Sequence, residues 1–212
     1  MKKKLIYVFF KRLFDIFCSL LSIIILGLPM IIVSIAIKLD SKGPVLFKQK
    51  RIGQYKKIFQ IWKFRSMYID TDPNSPTHKL SHANNHITKV GKFIRKTSID
   101  ELPQLFNILS GKMSFVGPRP ALWNQDDLIQ ERDKYHANDI KPGLTGLAQI
   151  SGRDELEIPD KAKIDGDYVL KRGFFYDIGL IFKTAFNVFK HDGVVEGGTG
   201  EIEKKTGHKE SK

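Results

Sequence analysis

From Ile16 to Ile37 the chain carries no charged residue, and this run narrows the possible folds more than any other feature. As a helix rising about 1.5 Å per residue it would reach roughly 33 Å, enough to cross a bilayer core of about 30 Å. Ser34-Ile-Ala36 faintly resembles a signal-peptide cleavage site, but the run is longer than an h-region of about 7–15 residues. Pro29 sits inside the run, behind Gly27. A proline there deletes the hydrogen bond to the carbonyl of Ile25 and bends the helix. Lys2, Lys3, Lys4, Lys11 and Arg12 precede the run, and Lys38, Lys42, Lys48, Lys50 and Arg51 follow it. Basic residues mark cytoplasmic flanks, so both ends belong on the cytoplasmic side. A re-entrant helix broken at Pro29 meets that demand, provided the freed carbonyls find partners within the protein. A kinked single span is the alternative.

The chain after this run is long enough for one ordinary domain. Residues 1–40 therefore read as a membrane segment with basic flanks, and residues 41–192 as a cytosolic domain at the membrane face. Residues 193–212, rich in Gly, Lys and Glu, read as a disordered tail. A formal net charge of +12 calls for an anionic partner: phospholipid, nucleotide phosphate or nucleic acid. Cys18 is the only cysteine, which excludes an intramolecular disulfide.

Two β-prone runs, Val45 to Ile52 and Ile58 to Arg65, flank the turn Gly53-Gln-Tyr-Lys-Lys57 and predict a hairpin. Its basic residues alternate with Phe47, Phe59, Trp62 and Phe64. That pattern serves single-stranded nucleic acid; next to a membrane segment it more simply serves lipid headgroups or nucleotide phosphates. Thr71 to His86, with two prolines and paired asparagines, reads as an exposed loop. His78, His82 and His86 recur four apart, but no helix is expected there and no Cys or acidic residue completes a metal site. Thr88 to Lys96 reads as a short amphipathic helix, Asp126 to Asn138 as a solvated one, and Pro159 to Lys171 as another. Phe174 to Lys190 predicts a Phe-rich helix that packs in the core or lies on the membrane surface. Lys141 to Arg153, rich in turn residues with apolar ones between, reads as a ligand-positioning loop or a packed connection.

The chemistry-bearing stretch is Thr97 to Leu109. Leu102, Leu105, Phe106 and Leu109 recur at helical spacing, Gly111 ends the pattern, and Pro103 is tolerated only in a first turn. A helix cap near Asp100 would set Asp100 and Glu101 at the positive end of a helix dipole, favouring their ionised forms. An ionised Asp can act as a nucleophile, and a neighbouring Glu can hold a hard divalent cation through oxygen. Arg95 and Lys96 lie upstream and Ser114-Phe-Val-Gly-Pro-Arg-Pro120 downstream, the surroundings of a phosphate-handling site rather than of a plain cap. The chain contains neither GxGxxG nor GxxxxGK[ST], so neither a dinucleotide fold nor a P-loop is indicated.

Six segments in order carry a family likeness: Gly43-Pro-Val-Leu-Phe-Lys-Gln-Lys-Arg-Ile-Gly53, Lys63-Phe-Arg-Ser-Met67, Gly91-Lys-Phe-Ile-Arg95, Asp100-Glu-Leu-Pro-Gln104, Val116-Gly-Pro-Arg-Pro120 and Lys141-Pro-Gly-Leu-Thr-Gly146. Together they resemble the monotopic phosphoglycosyl transferases, the bacterial sugar transferase family. The resemblance implies a mostly helical α+β protein: a re-entrant membrane helix, a short β-hairpin, amphipathic helices at the membrane surface, and a small catalytic domain facing the cytoplasm at the inner membrane. It implies transfer of a sugar 1-phosphate from a UDP-sugar to polyprenol (undecaprenyl) phosphate, releasing UMP, as the first membrane step of a surface glycan. It further implies Asp100 as nucleophile forming a covalent phosphosugar, and Glu101 as a holder of Mg²⁺. Cations must offset the repulsion between a pyrophosphate and a carboxylate nucleophile. Arg95 and Arg119 are the first candidates, with Lys63, Arg65 and Arg153 beside them. Two other readings fit parts of the pattern. A membrane glycosyltransferase without a covalent phosphosugar would release UDP. A membrane-tethered nucleic-acid binder would leave Asp100 and Glu101 without work, so the charge is assigned to phospholipid and substrate phosphates.

Overall fold

The computed structural model describes residues 2–70, 86–152 and 156–190. The protein is mostly helical. Helix α1 (Lys2–Asp40) leads into an antiparallel hairpin, β1 (Leu46–Ile52) and β2 (Ile58–Phe64), paired from Leu46↔Phe64 to Ile52↔Ile58. Helix α2 (Lys89–Lys96) follows, then a 3₁₀ turn at Ile99–Glu101, helix α3 (Gln104–Leu109) and strand β3 (Ser114–Val116). Helix α4 (Asp126–Asp133) precedes β4 (Gly143–Thr145), which pairs parallel with β3. Helices α5 (Leu147–Ile150), α6 (Ile158–Lys171) and α7 (Phe174–Lys190) complete the fold.

Helix α1 does not divide at Pro29, which lies inside one helix running from Lys2 to Asp40. A lone proline removes one rung of the hydrogen-bond ladder, and the rungs on either side continue the helix through it. By length and composition α1 can cross a membrane. It buries only a narrow stripe, including Asp15, Ser19, Met30 and Ile37, and exposes Ile24, Ile25, Leu28, Ile31 and Ile32. An outward apolar face this wide marks contact with lipid or with another protein.

Both ends of α1 are fastened to the same body. At the N-terminal end Arg12 donates to the carbonyls of Ile108 (2.7 Å) and Leu109 (2.8 Å), satisfying the open C-terminus of α3. Asp15 accepts from Ser114 Oγ and the Phe115 amide, both at 3.1 Å. At the C-terminal end Asp40 accepts from the Val90 amide at 3.0 Å, and Arg65 donates to the carbonyls of Lys42 (2.6 Å) and Ser41 (2.8 Å). Part of the basic flank is therefore structural: Arg12 serves the fold as well as the charge.

The apolar core runs in clusters along this contact. Met30 and Ile37 pack with Phe64 and Ile94; Ile61 packs with Leu105, Ile108 and Met113. Val116, Ile140, Tyr168 and Leu180 form a further cluster under α7. Helix α7 packs in the core through one face only. Leu180 and Asp177 face the core while Phe175, Phe182 and Phe186 are exposed, because one helix face must fill the cluster and the opposite face cannot reach it. Helix α4 is less solvated than its charge pattern predicts: Leu128 and Arg132 are buried against α6. The loop expected at Thr71 to His86, apart from His86, lies outside the described residues, as do His78, His82, Arg153 and the tail.

Candidate active site

Three elements bring the candidate residues together. Asp100 and Glu101 occupy the 3₁₀ turn, Lys63 comes from β2, and Arg119 from the turn after β3. Lys63 Nζ donates to Glu101 Oε1 at 2.9 Å, and Arg119 Nη2 donates to the same oxygen at 2.8 Å. Lys63 Nζ also lies 4.0 Å from Asp100 Oδ2. Asp100 itself is buried. Burial alone would raise the Glu101 carboxyl; the charges of Arg119 and then Lys63, with their hydrogen bonds, overcome it and hold the group well below the usual carboxylate range. Glu101 is an anion at neutral pH.

The local backbone differs from the sequence reading. The carboxylates do not stand in the first turn of α3, whose cap is Pro103; they stand in the separate turn ahead of it. Helix α3 has only 6 residues, so its dipole is small, and neighbouring cations do what the dipole was expected to do. Ser98, directly before the turn, adopts a left-handed conformation (φ 55°, ψ 16°). Such backbone is unfavourable for a residue with a Cβ and collects at functional sites; nothing in the residue type announces it.

Each cation is positioned from behind. The Asn107 side chain stitches α3 to the edge of β2, accepting from the Trp62 amide and donating to the Gln60 carbonyl, both at 2.9 Å. That bond pair sets Lys63 opposite the turn. Arg119 is held through its carbonyl, which accepts from Arg132 Nη1 at 2.9 Å, while Arg132 is locked by Asp165 at 2.6 Å in a buried ion pair. Three glycines explain the two flanking motifs. A Cβ on Gly117 would lie 2.4 Å from the Lys141 carbonyl, one on Gly143 2.1 Å from the Gly117 nitrogen, and one on Gly146 2.1 Å from the Gly117 oxygen. The Arg119 turn and the 141–146 segment interlock main chain to main chain, so this part of the 141–153 stretch is a packed connection. Gly91 acts likewise under α2, where a Cβ would sit 2.0 Å from the Ser66 carbonyl.

One sequence candidate, Arg65, is placed at the end of α1, where it is buried and caps carbonyls. Arg95 reaches Ser66 Oγ at 3.5 Å from α2. Arg153 lies outside the described residues. Arg132, Asp165 and Asn107 escaped the sequence reading. Their roles depend on partners far along the chain, and the only local signal is the i, i+4 spacing that sets Arg132 on the same helix face as Leu128.

A family model of bacterial sugar transferases matches residues 6–191. The chain belongs to the bacterial sugar transferase family. Within the family it is 42% identical over 190 residues to a UDP-glucose:undecaprenyl-phosphate glucose-1-phosphate transferase of Klebsiella pneumoniae, covering 85% of this chain and 40% of that one. It is 38% identical over 199 residues to an undecaprenyl-phosphate galactose phosphotransferase of Salmonella typhimurium, covering 87% and 41%. The chain thus spans less than half the length of these two relatives. An exopolysaccharide production protein of Rhizobium leguminosarum is matched almost end to end, with 40% identity over 186 residues, 82% of this chain and 92% of that one.

Proposed function

We propose that this sugar transferase moves a sugar 1-phosphate from a UDP-sugar to a polyprenol phosphate, with Asp100 as nucleophile and UMP as the first product. The observation that carries this reading is the pairing of the buried Asp100 with a Glu101 whose single oxygen holds both Lys63 and Arg119. Relatives named as undecaprenyl-phosphate sugar phosphotransferases support the substrate class.

This reading implies an order of events. An incoming pyrophosphate competes for Lys63 and Arg119, drawing them off Glu101 onto its own oxygens. Arg119 is the more mobile in principle, its side chain 28% exposed against 13% for Lys63, and its planar fork suits phosphate. Charge on the donor is thereby offset where Asp100 must approach. The Asp100 carboxylate attacks the sugar-bearing phosphorus, the bond to the bridging oxygen breaks, and UMP leaves with that electron pair. The polyprenol phosphate oxygen then attacks the same phosphorus and restores the carboxylate.

The adjacent carboxylates of Asp100 and Glu101 fit a small hard cation that keeps most of its water and completes its shell with substrate phosphate. Such an ion would supply further charge neutralisation on the pyrophosphate.

The reaction belongs at the cytoplasmic face of the inner membrane, with α1 dipping into the bilayer and returning. Fastening of both ends of α1 to one body supports keeping both ends on one side, and Pro29, which removes one rung of the ladder, is where the helix would bend to return. Incubating the enzyme with UDP-sugar and no acceptor is the test. Up to one equivalent of UMP should appear, with the mass of a sugar phosphate on the Asp100 peptide, discharged on adding polyprenol phosphate. Release of UDP instead would point to the other glycosyltransferase mechanism.

A further inference from the structure

A cleft of about 490 Å³ lies where the start of α1 meets the corner between α6 and α7. Its volume falls within the range of about 300–1,000 Å³ usual for small-molecule sites. Ile6, Phe10, Val169, Leu170 and Phe174 make it apolar, and Arg172 is the one formally charged side chain in its lining. Arg172 Nε is buried and has no hydrogen-bond partner among the described residues. Leaving such a donor unpaired is costly, and most buried polar groups are paired. The nearby acid does not serve it: Asp177 already accepts from Tyr7, Lys11 and Tyr168. Around the cleft the surface stays apolar, with Phe9, Leu170 and Phe175 exposed, so its mouth continues into the outward faces of α1 and α7.

We infer that this cleft binds an anionic diacyl phospholipid, its acyl chain along Phe10, Leu170 and Phe174 and its phosphate on Arg172. A guanidinium recognises phosphate through two parallel N–H donors, and an apolar wall with one such group matches a headgroup joined to a hydrocarbon tail. The occupant is a bilayer lipid and not the acceptor. An acceptor phosphate must reach Asp100, and the cleft shares no lining residue with Asp100, Glu101, Lys63 or Arg119. The lipid would pin the N-terminal end of α1 against α6 and α7. This inference rests on the membrane placement proposed above, but not on the covalent chemistry.

Native mass spectrometry of the full chain in dodecyl maltoside, titrated with dioctanoyl phosphatidylglycerol or dioctanoyl phosphatidylcholine, tests it. Phosphatidylglycerol should bind as a single adduct about tenfold more tightly than phosphatidylcholine, because both present a phosphate to Arg172 but only phosphatidylcholine brings a trimethylammonium that repels the guanidinium. Arg172→Gln should erase that preference, and Arg172→Lys should keep part of it. Gly173→Leu should block both lipids. A Cβ at Gly173 meets only the Lys171 carbonyl, at 4.0 Å, and Gly173 lines the cleft, so a side chain added there takes up room next to the lipid seat. All three variants should still form the Asp100 adduct from UDP-sugar, which shows that they fold. Equal binding of the two lipids, or binding unchanged in Arg172→Gln and Gly173→Leu, overturns the inference. One-for-one displacement of phosphatidylglycerol by undecaprenyl phosphate also overturns it, by making the cleft the acceptor's seat. Absence of the Asp100 adduct in the parent enzyme would refute the proposed reaction while leaving the lipid measurement intact.

Discussion

Glu101 and Asp177 each accept from a lysine and at least one further donor, but they sit in different company. Glu101 takes Lys63 and Arg119 on one oxygen, and Arg119 is partly open to solvent. Asp177 takes Tyr7 and Lys11 on Oδ2 and Tyr168 on Oδ1 at 2.9 Å, and all four groups are interior or nearly so. Burial, and then the negative charge of Asp177, pushes the Tyr168 hydroxyl well above its ordinary range, so it remains a donor. The Asp177 node joins α1, α6 and α7 and offers nothing to a ligand. The Glu101 node holds cations that a stronger anion can take. Similar polar inventories make a clamp in one place and a site in the other. What separates them is the company each lysine keeps: two neutral hydroxyls beside Lys11, and beside Lys63 a guanidinium that is 28% exposed.

That contrast can be broken most completely next to Glu101. Asp100→Asn should abolish the covalent adduct and acceptor-dependent turnover, because an amide is a poor nucleophile; retained turnover would return Asp100 to a purely structural role. Asp177→Ala should leave Lys11 and two hydroxyls without their acceptor and lower stability by about 3–5 kcal/mol, read from chemical denaturation. The Asp100 adduct should still form where the protein remains folded. Glu101→Gln should show the reverse pattern. We expect a rate loss of about 10²–10³-fold, the size typical of one electrostatic contact in an active site, with a stability loss smaller than that of Asp177→Ala because the amide oxygen still accepts from Lys63 and Arg119. Equal stability losses at the two positions would erase the distinction.

Two smaller effects sharpen it. Tyr7→Phe removes one hydrogen bond from the clamp and should cost about 1 kcal/mol with no effect on rate. The pH dependence of Glu101 follows from its lowered folded-state value. A group lowered on folding contributes stability above its unfolded value of 4.5, and loses it as pH falls toward the folded value. The stability difference between the parent and Glu101→Gln should therefore be level above about pH 5 and shrink on acidification. A difference that grows on acidification would mean that the carboxyl is raised, not lowered.

The linear chain was informative wherever the physics is local. An uncharged run long enough to cross a bilayer, the alternating hairpin around Gly53–Lys57, the short amphipathic helix from Thr88 and the Phe-rich last helix all rest on periodicity or on a single residue's conformational limits. Asp100 and Glu101 stood out for the same reason, as adjacent carboxylates framed by cations and rigid turns. Their setting did not. Whether Pro29 ends a helix or lies within one depends on the turns either side and on what they pack against. Arg65 and Arg119 look alike in sequence, yet one caps α1 and the other grips Glu101, because long-range main-chain partners decide where a guanidinium points. The left-handed Ser98, the Asn107 stitch to β2 and the interlocked Gly117, Gly143 and Gly146 exist only once distant segments meet. Composition and spacing determined which groups were available for phosphate chemistry. Tertiary packing decided which of them share one oxygen, since a close contact between residues far apart in sequence is paid for by the whole fold.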